Sequence, residues 1–338
     1  RLIQELAKDK QVMVIEHDLA ILDFMTDNAY LVYGSEGAYG VFAQPRHVRT
    51  AINTYLDGYM REENIRFRDT AIRFESHPPR DTVEMVPLME FGDLECDHKQ
   101  FKLKVEGGTI RIGESVGVVG PNAIGKTTFV KMLAGVQEPT KGKLDKNATV
   151  SYKPQYISPD FDGTVSELFM ATAFDFFQSG FFESEIAHPL SLRRLYEKNV
   201  MHLSGGEQQR VAIALCLSKD ADIYLLDEPS AYLDSNQRME AAKTIRRVME
   251  KKGRSALIVD HDIYFLDMVS DSMMVFSGTP GVEGLATGPY DMRQGMNMFL
   301  KAIDVTFRRD NDTNRPRINK PGSRLDREQK EKGEYYYS

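Results

Sequence analysis

Three separated stretches of this chain carry residue types that together could handle a chain of phosphates. Gly120-Pro121-Asn122-Ala123-Ile124-Gly125-Lys126-Thr127-Thr128 has the spacing of a phosphate-binding loop, Ile223-Tyr224-Leu225-Leu226-Asp227-Glu228 is an apolar run ending in paired acids, and a third apolar run from Ser255 ends at His261. In the first, glycines let successive backbone N–H groups face one concavity, and a following helix adds its positive N-terminal end. Lys126 is expected to reach the β- and γ-phosphates, and the Thr127 hydroxyl to take a place on Mg²⁺. Asp227 suits Mg²⁺ coordination, directly or through water, and Glu228 suits polarising a water that attacks the γ-phosphate. Phosphoryl transfer asks for little else, since it depends mainly on positioning and charge stabilisation. His261, at a strand end after this series, is expected to contact the γ-phosphate and the water. A lone histidine would ordinarily be structural.

Two further motifs fit between these. A strand from Val150 ending at Gln155 would place an amide near the metal and the attacking water. Leu203-Ser204-Gly205-Gly206-Glu207-Gln208-Gln209-Arg210 opens a helix, with Ser204 and Glu207 at capping-box spacing. Gly205 and Gly206 leave its first N–H groups uncovered, which makes a second anion-receptive helix terminus. Phe101 lies 25 residues before Lys126. It is open to two readings, an aromatic stacked on a base or a core residue.

These residues need strands and helices to hold them. Val116-Gly117-Val118-Val119 reads as a strand before the loop and Phe129 to Ala134 as a helix after it. That strand–loop–helix context is what the loop motif requires. Ser235 to Lys251 has the pattern of a long amphipathic helix, and the Phe-, Leu- and Ser-rich stretch from Asp160 to Val200 that of a small helical subdomain. Its aromatic runs, Phe174 to Phe177 and Phe181-Phe182, are expected to pack inward, an exposed patch being the alternative. Near the start, Gln11 to Asp18 reads as a strand, Leu19 to Asp27 as a helix and Tyr30 to Tyr33 as a second strand. The pattern returns late in the chain. His17 and His261, Arg49 and Arg293, Asn53 and Asn297, and Leu56 and Leu300 are each 244 residues apart, which reads as a tandem duplication whose first copy lacks its front.

Composition is that of an ordinary globular chain: 338 residues, 41% hydrophobic, 28% charged. A net charge of −7 argues against a wholly basic nucleic-acid binder and leaves room for a local basic surface. The two cysteines, Cys96 and Cys216, have no disulfide, zinc or iron–sulfur spacing, which suits a reducing cytoplasm. No apolar run approaches the roughly 18 residues of a spanning helix. No signal-peptide pattern opens the chain, and without an initiator Met it reads as beginning inside a domain.

The ordered series GPNAIGKTT, Gln155, LSGGEQQR, LLDEPSAYLD and His261 resembles the ATP-binding cassette ATPases over residues 90 to 290. The LDEPSAYLD run and the tail from Phe307 to Tyr337 are similar to the RNase L inhibitor family of ribosome-recycling ATPases, in its archaeal form. The resemblance implies an α/β fold, a P-loop NTPase cassette with a RecA-like core, an antiparallel β subdomain and a helical signature subdomain. It implies the end of a first cassette at 1–60, a hinge at 61–87, a complete second cassette at 88–300 with its helical subdomain at about 160–218, and a C-terminal hinge at 301–338. Glu228, His261 and Gln155 would be catalytic. ATP would contact Phe101, residues Asn122 to Thr128, Ser204, Gly205, Gly206, Glu207 and Asp234, and Mg²⁺ would take Thr127, Gln155 and Asp227. Iron–sulfur clusters belong to an N-terminal domain of the family that this chain does not include.

The family's partners would be the ribosome, its small subunit in particular, release-factor-like proteins, the missing first cassette, and rRNA through the hinges. No membrane is implied. ATP would close twin cassettes like tweezers and so split ribosomal subunits, with the chain alone turning over weakly. Two other readings are an ATPase subunit of a membrane transporter and an ATP-gated clamp with little turnover. One departure stands out: Ala123 occupies a usual Gly position, where a side chain is strained if φ is positive.

Overall fold

The computed structural model describes residues 2–35, 39–68, 71–74, 86–98, 101–144, 147–155 and 161–336. The chain divides into two compact units, Pro78–Phe299 and Arg1–His77 with Leu300–Ser338.

In the first of these units the strands are β1 (Pro87–Phe91), β2 (Leu94–His98), β3 (Phe101–Val105), β4 (Gly108–Arg111), β5 (Ser115–Val119), β6 (Val150–Lys153), β7 (Ile223–Asp227), β8 (Ser255–Val259), β9 (Ser272–Thr279) and β10 (Glu283–Asp291). Eight of them form one sheet in the order β6-β7-β8-β5-β9-β10-β3-β2, and β1 pairs with β4. From β6 to β9 all pairing is parallel, and antiparallel pairs join β9 to β10 and β3 to β2. Every residue of β5, β7 and β8 is buried, as expected of parallel strands covered on both faces, and this is why they read as unbroken apolar runs. Val116, Val118, Leu225, Leu257, Phe129 and Phe276 share one core. Burial of each such side chain contributes roughly 1.5–3 kcal/mol.

Five helices matter to the site: α1 (Lys126–Leu133), α2 (Val165–Phe177), α3 (Gly205–Ser218), α4 (Ser235–Lys252) and α5 (Ile263–Val269). The helix start at α2 is set by a capping box between Thr164 and Glu167. Phe169 stacks on Phe177 at 5.3 Å between ring centroids and meets Phe182 edge-on at 5.1 Å, so these rings pack inward. Phe174 is the exception, 52% exposed. Position 160 of the expected helical subdomain lies outside the described residues.

The other unit shows the duplication in its details and also what its first copy lacks. The helix Leu19–Met25 is capped by Asp18, which accepts from the Ala20 and Ile21 N–H groups, and α5 is capped in the same way by Asp262 from Tyr264 and Phe265. By contrast, the strand expected at Gln11 to Asp18 is not formed, and Met13 and Ile15 are 81% and 88% exposed. Its counterpart β8 is a strand because β5 and β7 flank it and satisfy its backbone. Among the described residues this unit holds no such neighbours. The second expected strand begins at Val32, not Tyr30, and pairs with Tyr39–Phe42. Of the hinge expected at 61–87, residues 69–70 and 75–85 lie outside the described residues, and Ile65–Arg66 pairs with Tyr59–Met60.

A buried ionic cluster joins the two ends of the chain inside this unit. Asp23 accepts from Arg317 Nε at 2.7 Å and Nη2 at 2.9 Å, and from Arg315 Nη1 at 3.3 Å. Both the Asp23 and the Arg315 side chains are essentially fully buried, at 1% and 0% exposure. Asp310 accepts from Arg49 and Arg317, at 3.2 and 3.3 Å.

Candidate functional site

The site is built at the carboxyl ends of the parallel strands, where open α/β sheets place ligands. The loop from Gly120 leads β5 into α1, and Gly125 is left-handed at φ +94. Only glycine fits there without strain, since a Cβ would also stand 3.0 Å from the Phe101 ring. Phe101 thus lies against the loop and is partly buried, packing on the main core. Ala123 does take a positive φ, +58, and its carbonyl accepts from the Gly281 N–H at 2.8 Å. A left-handed alanine costs about 1–2 kcal/mol, and this hydrogen bond helps offset it. Ile124 is buried in the core, so its only possible ligand contact is through the backbone, whereas Asn122 is exposed.

Lys126 is 6% exposed, and its Nζ donates to the Gly120 and Pro121 carbonyls at 2.7 Å each. Burial pulls its ammonium down to about 8, against the pull of the Glu228 and Asp227 charges. Asp227 ends β7 fully buried, and neither carboxylate oxygen has a hydrogen bond of regular geometry. Burial raises its pKa; the Thr127 side chain, Lys153 and Lys126 oppose that. A buried carboxylate with both oxygens unsatisfied and a threonine hydroxyl beside it suits a hard divalent cation, so the residues fit Mg²⁺.

Glu228 stands just past the strand in a left-handed conformation, φ +48. His261 Nε2 lies 3.3 Å from its Oε1. The hydrogen bond from His261, and after it that from Gln155, holds the Glu228 carboxyl below its usual range despite burial. The three residues expected to be catalytic are therefore brought together. The strand expected to end at Gln155 stops at Lys153, and Gln155 follows in a bend that turns its amide towards Glu228. Proline at 154 explains the early stop, since it has no N–H for the ladder.

The expected signature residues hold their helix start. Ser204 Oγ accepts from the Glu207 N–H at 3.4 Å, and Glu207 Oε2 accepts from the Ser204 N–H at 2.9 Å. Gly205 and Gly206 do more than leave N–H groups bare. The Tyr232 ring lies over Gly205, and a Cβ on Gly206 would meet the Tyr232 carbonyl at 2.9 Å. Asp234 caps α4, accepting from the Gln237 N–H at 2.8 Å. Thr128 lies in the first turn of α1, partly buried.

Three residues outside the expected set support the site. Lys153, buried, donates from Nζ to the Asp227 carbonyl at 2.8 Å. Asp260 accepts from Ser230 N–H and Oγ and from the His261 N–H, tying the histidine to the segment after the paired acids. Gln209 reaches the Glu228 carbonyl at 2.6 Å. Lys153 lies two residues before Gln155 and Asp260 directly before His261, and a polar residue near a motif at a strand end is a signal for such a role. Gln209 carried no signal beyond lying in a helix-opening run.

Comparisons with known proteins agree with this geometry. A family model described as ABC transporter matches residues 103–231. The chain is 51% identical, over its whole length, to an ABC transporter ATP-binding protein of Methanocaldococcus jannaschii, of which it covers 56%. It is 41% identical over 174 residues to ABC transporter E family member 3 of Arabidopsis thaliana, covering 48% of this chain and 94% of that one. Among solved structures it is similar to a protein titled RNase-L Inhibitor, at TM-score 0.95 and 53% identity, covering 99% of this chain and 65% of that one. It is also similar to a chain from the complex of an archaeal ribosomal stalk protein and an archaeal ribosome recycling factor, at TM-score 0.94 and 52% identity, covering 100% and 65%. The chain spans little more than half the length of the full-length curated relative, and its fold is that of an ATP-binding cassette. The chain belongs to the RNase L inhibitor family, the E family of ATP-binding cassette proteins.

Proposed function

We propose that this chain is the C-terminal part of an ATPase that uses ATP binding and hydrolysis to split ribosomes into subunits, in recycling and initiation. The observation that carries the reading is the convergence of Glu228, His261 and Gln155 beside Lys126 and Asp227. On this reading residues 1–60 are the end of a first cassette, 61–87 and 301–338 are hinges, and 88–300 is the second cassette. The loop from Asn122 to Thr128 binds the phosphates of ATP, with Phe101 against the base. Thr127, Asp227 and Gln155 hold Mg²⁺, which when bound neutralises charge on the phosphate chain. Glu228, kept ionised by His261, accepts a hydrogen bond from the attacking water, and Gln155 and His261 orient it.

Ser204, Gly205, Gly206, Glu207 and Asp234 serve a nucleotide held by the other cassette. ATP contacts both halves only when the cassettes close, which gives the differential affinity that a switch requires. Closure would then drive subunits apart, with the hinges facing rRNA or the small subunit and the protein working in the cytoplasm beside release-factor-like proteins. The relative crystallised with a ribosomal stalk protein supports this partner class. The test is density-gradient sedimentation of ribosomes with the intact protein. ATP-dependent conversion of ribosomes to subunits is expected. Unchanged ribosome profiles in the presence of normal ATP turnover would overturn the reading.

A further inference from the structure

Glu228 is a non-glycine residue in a left-handed conformation, and something must hold it there. Its own N–H donates to the Val259 carbonyl at 2.7 Å, which fixes one side of the peptide to β8. Its carbonyl accepts from the Ala231 N–H at 3.3 Å and, more closely, from Gln209 Nε2 at 2.6 Å. Gln209 is 1% exposed on α3, the helix that opens with Ser204 and the two glycines. A second contact links the same two segments, since Tyr232, also left-handed at φ +62, packs on Gly205 and Gly206. The signature helix is therefore clamped at two points to the segment that carries Glu228.

We propose that Gln209 is a positioning residue, which holds the Glu228 backbone so that its carboxylate faces His261 and ties that posture to the signature helix. Resting on the role proposed above for Glu228, this makes α3 the element through which a nucleotide engaged at Ser204 adjusts the glutamate of the cassette's own, different site. The Gln209 amide loses this hydrogen bond if the Glu228 carbonyl moves, so the pair favours one posture of the glutamate backbone.

The test uses Gln209→Met, which keeps volume and removes the donor, with Gln209→Leu as a second variant, in the intact protein. Turnover should fall at least tenfold, with KM for ATP and the thermal midpoint of the cassette little changed. Combined with Glu228→Gln, the Met variant should add no further loss, because both act on one group. Full turnover in both Gln209 variants, or losses that multiply with those of Glu228→Gln, would overturn the proposal. If Glu228→Gln alone left turnover unchanged, the role of Glu228 would fail first, and that outcome is read separately.

Discussion

Glu228→Gln in the intact protein is expected to lower ATP turnover by about 10²–10⁴-fold, the usual contribution of a positioned general base. The substitution is nearly isosteric and removes the negative charge that His261 and Gln155 keep in place. The amide still fills the space, but it no longer draws a proton-bearing water towards the γ-phosphate. Lys126 and the loop are untouched, so nucleotide binding, read with a fluorescent ATP analogue, should persist. Phosphate release under steady state gives the turnover. Unchanged release would remove Glu228 from the chemistry.

The second large effect lies in the other unit and concerns stability. Asp23→Ala removes the carboxylate that receives both Arg315 and Arg317, and Arg315 is fully buried. Breaking a buried pair by deleting one partner costs about 3–5 kcal/mol, because the remaining charge is left uncompensated. The unit formed by Arg1–His77 and Leu300–Ser338 should therefore unfold at markedly lower denaturant, while the Pro78–Phe299 unit keeps its own midpoint. Denaturation followed by hydrogen exchange separates the two. A loss below 1 kcal/mol in the unit that holds Asp23 would show that the cluster contributes little.

The cassette was legible because each of its motifs carries a physical signature in a short stretch. The loop from Gly120 to Thr128 sits between a buried strand and a helix, and the paired acids end an apolar run that only a covered parallel strand tolerates. The capping box at Ser204 and Glu207 needed nothing beyond their spacing. The strand expected at Gln11 to Asp18 failed for the opposite reason. Its apolar residues describe a place in a sheet whose neighbouring strands are absent among the described residues of this unit, and a local pattern cannot report a missing partner.

Long-range polar links were equally invisible. The bond from Gln209 to Glu228 and the cluster around Asp23 depend on residues brought together only by the fold. Ala123 lies between these cases: its strain followed from the sequence once φ was known, and the Gly281 hydrogen bond that supports it did not.

On the proposed reading the phosphate loop is half of a nucleotide site, and the signature helix of the same cassette serves another. The most direct measurement of this claim is ATP binding and ATP turnover by this chain alone, followed across protein concentration. The account predicts ATP binding that Lys126→Ala abolishes, with turnover that stays low at low protein concentration and rises when a complete partner cassette is supplied. Robust turnover by the dilute chain on its own would contradict it.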